Sequence, residues 1–295
     1  MASAGTLDTL ELYWFALDLA PAAVAGLRGL LPAEECARAD RFLMPEHGRR
    51  FTVAHARLRA LLAARLHAAP RELRFTHGPQ GKPALEGAPL HFNLSHSAGY
   101  GLIGIHPQRE LGVDIEIERA QLDVLGLARR FFTAREAAWL AALPDEARRR
   151  GFSRLWTCKE AWLKADGRGM AVLDHVEVEL GAGGARLRME AARRCPEQSG
   201  HPLPPIEARP QATSGSDPAK SGEPPRTLAA PAQEWFVREL DLTAGYAAAV
   251  VQAEPPAAVT VVRLGTEMEL PPAVLNPSAS LAAAGPPPST TTSAP

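Results

Sequence analysis

A long stretch that cannot form a core is the feature that most limits how this chain can fold. Residues 196–232, "PEQSGHPLPPIEARPQATSGSDPAKSGEPPRTLAAPA", are rich in Pro, Ser, Gly and charged residues and carry too little apolar surface to order themselves. Because too little chain follows to form a second core, we interpret this stretch as a disordered insertion between two strands. Residues 266–295, which end in "GPPPSTTTSAP", are predicted to be a disordered tail.

The rest of the chain alternates between strand-like and helix-like patterns. Residues 9–19 alternate apolar and polar side chains as a strand does, and short strand-like runs recur within residues 73–118 and 175–252. Helical periodicity covers residues 32–67, 123–143 and 150–166. Each half therefore passes from helices into short strands, which predicts the α+β class and is compatible with two similar lobes.

The composition argues against several classes of protein. The chain has 295 residues, 46% of them hydrophobic, and a formal net charge of −1, so no overall field favours nucleic acid or an anionic membrane. Its cysteines, Cys36, Cys158 and Cys195, are too widely spaced for a zinc site or a disulfide framework. With no signal-like start and no apolar run of membrane-spanning length, we expect a cytoplasmic protein that binds neither nucleic acid nor a membrane.

The run "GVDIEIE", residues 112–118, places carboxylates at alternate positions. In a strand, Asp114 and Glu116 lie on one face, opposite to Val113 and Ile115, and about 7 Å apart. Two such carboxylates can share one divalent cation, and oxygen ligands alone favour Mg²⁺ or Mn²⁺ over zinc. The alternative is an edge strand with a solvated polar face, because an isolated D-x-E pattern is common.

The run "WTCKEAWLKADGRG", residues 156–169, predicts a helix that ends at Gly167. Trp156, Glu160 and Lys164 recur every fourth residue and therefore share one helical face. One interpretation is a solvated Glu–Lys pair of little energetic weight. The other is a face that lines a cleft, which the tryptophan favours because its side chain is costly to leave in water.

Two further segments offer groups that could bind an anion. In "FNLSHS", Asn93, Ser95 and His96 supply several hydrogen-bond donors within a short strand. In "GPQGKP", Lys82 lies on a tight turn where backbone N–H groups and an ammonium can meet a phosphate. A structural histidine and a solvated turn lysine are the simpler alternatives.

Taken in order, these segments resemble the 4′-phosphopantetheinyl transferase family, in its larger, pseudo-dimeric branch. The similarity runs from about Arg38 to Val178. The two motifs G-V-D-I-E and W-x-x-K-E-A-x-x-K, some forty residues apart, are specific for the family in combination. Either motif alone would be weak evidence. The resemblance implies two similar α/β lobes related by a pseudo-twofold, with the active site between them and a monomer as the functional unit.

On this resemblance the chain divides into an N-terminal lobe, residues 1–111, and a C-terminal lobe, residues 112–265, that carries the insertion. Members of the family transfer the 4′-phosphopantetheine arm of coenzyme A to a serine of an apo acyl or peptidyl carrier protein. The other product is adenosine 3′,5′-bisphosphate.

The resemblance also implies roles for individual residues. Asp114, Glu116 and Glu160 would hold Mg²⁺ against the pyrophosphate of coenzyme A, and Lys164 would reach that pyrophosphate. Glu160 is also the family's usual candidate for the general base toward the carrier serine, directly or through water. The role of Lys159 in the same motif stays open.

The 3′-phosphate of coenzyme A would lie among Lys82, Ser95 and His96, with Arg38 nearby and Arg50 as a further contact. The carrier is expected to be acidic around its serine. Candidate contacts for it, which could equally be solvated helix faces, are Arg129, Arg130, Arg148, Arg149 and Arg150.

Two other functions stay open at this point. One is a non-catalytic module that binds coenzyme A or a nucleotide, although the carboxylates and Lys164 are intact. The other is a different Mg²⁺-dependent phosphotransferase, which would need a phosphate-binding Gly-rich loop that the sequence lacks.

Overall fold

The structure is a computed structural model that describes residues 8–88, 90–167, 172–173, 176–181, 183–189 and 235–265. The predicted insertion, residues 196–232, and the predicted tail, residues 266–295, lie outside the described residues. Within the described residues, no helix is both long enough and apolar enough to cross a membrane.

Helices and strands follow one another along both halves of the chain. The helices are α1 (Pro21–Arg28), α2 (Ala33–Asp40), α3 (Pro45–Leu66), α4 (Val124–Phe131), α5 (Ala134–Ala142) and α6 (Asp145–Asp166), with a short 3₁₀ turn at Pro70–Glu72. The strands are β1 (Thr9–Ala16), β2 (Phe75–His77), β3 (Pro83–Leu85), β4 (His91–Ser97), β5 (Tyr100–His106), β6 (Leu111–Ile117), β7 (Val176–Gly181), β8 (Gly184–Met189), β9 (Trp235–Glu239), β10 (Tyr246–Ala253) and β11 (Ala258–Arg263). The α+β class is as predicted.

The first sheet has the strand order β11-β1-β5-β4, with β11 parallel to β1 and the other pairs antiparallel. One face of this sheet packs against α3, where Val53, Leu58 and Leu61 join a core cluster with Tyr13 and Phe15 of β1. The helical structure predicted over residues 32–67 is formed by two helices, α2 and α3. A break separates them, because Pro45 begins a new helix at the position where its missing N–H costs nothing.

The second sheet has the order β6-β10-β9, all antiparallel. Helix α6 packs across it, and Ala161 and Trp162 of the helix share a core cluster with Ala249 and Val251 of β10. The hairpin β7–β8 adjoins this part of the molecule through Val176. This arrangement places the "WTCKEAWLK" motif directly over the strand that carries "GVDIEIE".

A third apolar cluster lies between the two sheets. It joins Leu12 and Trp14 of β1 to Val113 of β6 and Val250 of β10. Both β1 and β10 therefore bury both of their faces, one on helices and one on the opposite sheet. The layers run helices, first sheet, second sheet, helix, which is an arrangement that buries both sheets on both sides.

Strand β11 crosses the predicted boundary between lobes. It follows the second sheet in the chain, yet Val259 and Val261 lie in parallel register with Leu10 and Leu12 of β1. The division into residues 1–111 and 112–265 stays a prediction, and in space the last described strand belongs to the first sheet. The sequence analysis predicted neither β11 nor α1.

Candidate active site

Three of the predicted site residues, Ser95, Asp114 and Lys164, come together where the edges of the two sheets meet. Strand β4 is an edge of the first sheet and β6 is an edge of the second. Side chains of β4 bind β6: Asn93 Oδ1 accepts a hydrogen bond from Val113 N at 2.9 Å, and the Ser97 hydroxyl accepts one from Ile117 N at 3.2 Å. These side chains take over part of the role that backbone carbonyls have within a sheet.

Helix α6 approaches β6 unusually closely because Gly112 has no side chain. A Cβ atom at this position would lie 2.0 Å from Ala161 O and 2.5 Å from Ala165 N, so any larger residue would push the helix away. The same Cβ would lie 2.9 Å from the Cβ of Lys164. Gly112 thus allows Lys164 of α6 to lie beside Asp114 of β6.

Asp114 is the centre of this junction. It is fully buried, and its Oδ1 atom accepts hydrogen bonds from the Lys164 ammonium at 2.5 Å and from the Ser95 hydroxyl at 2.8 Å. Lys164 also donates to Ser95 Oγ at 3.0 Å and to Val113 O at 3.2 Å. The sequence analysis expected Asp114 on a polar strand face, but the structure buries that face beneath α6.

Glu116, two residues further along β6, has an equivalent partner on β4. The Ser97 hydroxyl donates to Glu116 Oε2 at 2.8 Å, and Ser97 is 5% exposed. Ser95 and Ser97 thus hold Asp114 and Glu116 with the same offset of 19 residues. The sequence analysis did not single out Ser97, because nothing in the local pattern aligns β4 with β6.

Glu160 lies one helical turn before Lys164 on α6 and is 7% exposed. Trp156, one turn earlier, is buried in the core, and the predicted cleft beside Glu160 and Lys164 stays a prediction. Trp156 stacks on Phe152, with ring centroids 5.7 Å apart, and contacts Phe131 and Phe132 in the core of the second half. The tryptophan therefore anchors the helix, and Glu160 and Lys164 follow it toward the C-terminal end.

Lys159 is fully buried and forms an ion pair with buried Glu136 at 2.9 Å. Its ammonium also donates to Leu173 O at 3.2 Å and to Val176 O at 2.6 Å. Glu136 in turn accepts hydrogen bonds from Thr133 N and Val178 N, both at 2.7 Å. Lys159 therefore holds α5 and the start of β7 against α6.

Glu136 is a residue that the sequence analysis missed. The segment Thr133-x-x-Glu136 is a capping box in which each side chain bonds the other residue's backbone N–H. That four-residue pattern is readable in the sequence and would have predicted the start of α5.

The predicted phosphate contacts on β4 lie on opposite faces of the strand. Ser95 is buried against Asp114, whereas His96 is exposed. Lys82 forms an ion pair with Glu110 and donates to Leu111 O at 3.1 Å, at the start of β6. Burial acts to raise the pKa of Glu110, but the hydrogen bond and the charge of Lys82 outweigh burial. The net result is a lowered pKa.

Arg50 lies in a cleft beside the end of β1. The cleft has a volume of about 370 Å³ and is lined by Leu17, Asp18, Leu19, Glu46, Arg49 and Arg50. Arg50 makes two hydrogen bonds of 2.8 Å to Asp18, and these lower the pKa of that carboxyl. Arg38 lies over the ring of Phe51, 5.0 Å from its centroid.

The donor set suits a hard cation, although the described residues hold no group of three or more His, Cys, Asp or Glu arranged to bind one. Mg²⁺ does not require such a cage, since it usually binds one or two carboxylates, waters and substrate phosphates. Asp114 and Glu116 offer carboxylates at alternate positions of one strand, each oriented by a hydroxyl. The chemistry of these residues therefore fits Mg²⁺. In this structure the Lys164 ammonium contacts Asp114 Oδ1.

Comparison with known proteins decides the family. The model of the 4′-phosphopantetheinyl transferase superfamily matches residues 110–201, which include Asp114, Glu116, Glu160 and Lys164. The 4′-phosphopantetheinyl transferase HetI of Nostoc sp. is 41% identical over 177 residues, which make up 59% of this chain and 75% of that protein. The chain belongs to the 4′-phosphopantetheinyl transferase family.

Other members of the family are also similar. A putative 4′-phosphopantetheinyl transferase of Synechocystis sp. is 44% identical over 151 residues, 50% of this chain and 61% of the relative. The 4′-phosphopantetheinyl transferase Sfp of Bacillus subtilis is 30% identical over 149 residues, 50% of this chain and 65% of the relative. Membership confirms the prediction of a phosphopantetheinyl transferase that uses coenzyme A and a carrier protein.

Proposed function

We propose that this protein transfers the 4′-phosphopantetheine arm of coenzyme A to a serine of an apo acyl or peptidyl carrier protein, with Mg²⁺, and releases adenosine 3′,5′-bisphosphate. The observation that carries the proposal is the buried cluster of Asp114, Ser95 and Lys164 at the junction of the sheets. In a chain of this family, that cluster unites the strand motif and the helix motif in one place.

The reaction exchanges a phosphoanhydride bond of coenzyme A for a phosphate ester bond on the carrier serine. The serine oxygen forms a bond to the phosphorus that carries pantetheine, and the bond from that phosphorus to the bridging oxygen of the pyrophosphate breaks. The bridging oxygen leaves with adenosine 3′,5′-bisphosphate, and the serine proton passes to a base. Such a transfer depends mainly on positioning and on neutralising charge on the phosphate oxygens.

We assign the metal to Asp114, Glu116 and Glu160. When bound there, Mg²⁺ would neutralise pyrophosphate oxygens and orient them for displacement. Lys164 is the second cation of the site, and its ammonium is within reach of any group that binds next to Asp114. Glu160 is proposed as the base that takes the serine proton, directly or through a water molecule.

The adenosine end of coenzyme A is assigned to basic side chains of the first half. The proposed contacts of the 3′-phosphate are Lys82, Ser95, His96 and Arg38, with Arg50 as a further contact. Lys82 and Arg50 are paired with Glu110 and Asp18, respectively. A phosphate would therefore have to compete with a carboxylate for each of these two cations.

The carrier surface is proposed on α4 and the first turns of α6. Arg129 and Arg150 are exposed there, and such contacts should mainly affect the rate of association. Arg148 has a structural role, since it donates to Leu143 O at 2.7 Å and to Leu140 O at 3.1 Å at the end of α5. Arg130 lies over the ring of Phe131, 4.9 Å from its centroid.

The larger-scale features of the family are proposals as well. We propose that residues 1–111 and 112–265 form two similar lobes related by a pseudo-twofold, with the active site at the β4–β6 junction. A monomeric state and a cytoplasmic location stay predictions from the sequence.

One experiment separates this function from the alternatives. The protein is incubated with coenzyme A, Mg²⁺ and each of several apo acyl and peptidyl carriers, and the mass of each carrier is measured. We expect one phosphopantetheine per serine on at least one carrier. Binding of coenzyme A with no mass gain on any carrier would instead indicate a non-catalytic binding module.

A further inference from the structure

We propose that Ser97 is a positioning residue for the metal site, acting through Glu116. The inference rests on the proposed Mg²⁺ function and adds a residue to it that no motif of the sequence analysis assigned. Ser97 is the last residue of β4, and its hydroxyl contacts both the backbone and the side chain of β6.

The geometry of the Ser97 hydroxyl supports this role. Ser97 Oγ accepts a hydrogen bond from Ile117 N at 3.2 Å, which directs its single proton elsewhere. That proton goes to Glu116 Oε2, 2.8 Å away. The N–H of Ile117 occupies one lone pair of Ser97 Oγ, and this orients the hydroxyl. The β6 backbone therefore directs the hydroxyl proton toward Glu116, which lies on the same strand.

The same serine–carboxylate contact occurs twice between β4 and β6. Two residues before Ser97 on β4, the Ser95 hydroxyl donates to Asp114 Oδ1 at 2.8 Å. Two hydroxyls at alternate positions of one strand therefore hold two carboxylates at alternate positions of another. Both serines are almost completely buried, Ser95 at 4% and Ser97 at 5% exposed.

Holding Glu116 in place before the metal arrives also favours metal binding. A free glutamate side chain samples many rotamers, and fixing it costs side-chain entropy. A hydrogen bond that already fixes Glu116 removes much of this cost from metal binding. Outer hydrogen-bond partners of metal ligands typically change metal affinity about 10- to 100-fold when they are mutated.

The test is the affinity of the full-length protein for Mn²⁺, measured by electron paramagnetic resonance without coenzyme A. Mn²⁺ serves as the spectroscopic probe for a Mg²⁺ site. We expect Ser97→Ala to weaken Mn²⁺ binding about 10-fold and Ser97→Thr, which keeps the hydroxyl, to restore most of it. Thr52→Ala is the matched control, because it removes another buried hydroxyl, bonded to Gly48 O, on α3.

A double-mutant cycle separates positioning from a general loss of packing. In a Glu116→Gln background, Ser97→Ala should cause no further loss of Mn²⁺ affinity, because its effect passes through the carboxylate. If Ser97→Ala does not fold, Ser97→Cys, which keeps the volume with a much weaker donor, is measured in the same cycle.

The outcomes distinguish this inference from the proposed function. Equal Mn²⁺ affinity in the wild type and the Ser97 variant, with transfer activity intact, would overturn the inference and leave the function standing. A loss of the same size in the Glu116→Gln background would also overturn it. If the wild type itself neither binds Mn²⁺ nor modifies a carrier, the proposed metal site is wrong and this inference is wrong with it.

Discussion

The Lys164 ammonium lies 2.5 Å from Asp114 Oδ1, so the cation expected to meet the pyrophosphate already neutralises a proposed metal ligand. Asp114 is fully buried, and the side chain of Lys164 is 17% exposed. A buried carboxylate without a compensating charge is costly. If Mg²⁺ binds at Asp114 as proposed, it would neutralise the carboxylate that Lys164 neutralises in this structure, and the Lys164 ammonium would then be available to the pyrophosphate.

Lys164→Met tests this overlap. The variant keeps the aliphatic stem but leaves the Asp114 charge uncompensated, so we expect a loss on the order of 3 kcal/mol in unfolding free energy without metal. Saturating Mg²⁺ should stabilise the variant more than the wild type, because a ligand that binds only the folded state adds to its stability. Thermal unfolding with and without Mg²⁺ measures both effects.

Turnover in the same variant should fall about 100-fold even at saturating Mg²⁺, because one cation is missing as charge builds on the leaving phosphate. If Mg²⁺ stabilises the wild type and Lys164→Met equally and the rate is unaltered, Lys164 is only a structural ion-pair partner of Asp114.

Glu160→Gln separates the two roles proposed for this residue. The amide keeps the volume but is a weaker metal ligand and cannot accept the serine proton. If Glu160 is both ligand and base, raising the Mg²⁺ concentration should restore the rate only in part. The rate of carrier modification against Mg²⁺ concentration measures this, and complete recovery would show that another group or water takes the proton.

Lys159→Met should destabilise the fold, because Lys159 and Glu136 form a buried pair and removal of one partner leaves the other charge uncompensated. We expect a loss of about 3–5 kcal/mol in unfolding free energy. Adding Glu136→Gln should recover part of that loss, since the double variant buries no unpaired charge. Arg188→Met is the control, because its pair with Glu179 is exposed and its loss should be near zero.

The measurement is denaturant unfolding of the two single variants and the double variant. A double variant that loses the full sum of the single losses would contradict a direct coupling of Lys159 to Glu136.

Glu35 is predicted to make the unfolding free energy of the first half depend on pH in the acid range. Burial acts to raise the pKa of Glu35, but the His55 imidazole 3.6 Å away and two hydrogen bonds of 2.9 Å from Arg59 outweigh it and lower the pKa to about 2. Since the folded pKa lies below the unfolded one, the contribution is complete above about pH 4.5 and is lost as pH falls toward 2. Glu35→Gln should flatten the stability curve in that window, and an unaltered slope would contradict the assignment.

Much of the site was predictable because its residues lie in short local patterns. The alternation in "GVDIEIE" predicted strand β6 and the shared face of Asp114 and Glu116. The four-residue spacing of the second motif predicted α6, and Gly167 ends this helix with a left-handed φ of 76° as expected. Periodicity of this kind is set by the geometry of a single element.

The parts that could not be predicted depend on how distant elements align. Ser97 meets Glu116 only because the edges of two sheets lie side by side, and no spacing along the chain specifies that alignment. Strand β11 is stable because it pairs with β1 from the other end of the chain. The burial of Asp114 depends on the close approach of α6 over Gly112, which the strand pattern alone does not contain.

The most direct test of the central claim is the stoichiometry of the reaction in the presence and absence of Mg²⁺. An apo carrier is incubated with coenzyme A and either the wild type or Asp114→Asn, and both the carrier mass and adenosine 3′,5′-bisphosphate are quantified. The account predicts one nucleotide released per phosphopantetheine added by the wild type, no reaction with a chelator, and recovery when Mg²⁺ is returned. Asp114→Asn should be at least about 100-fold slower, and a wild-type rate in this variant, or full transfer in the chelator, would contradict the account.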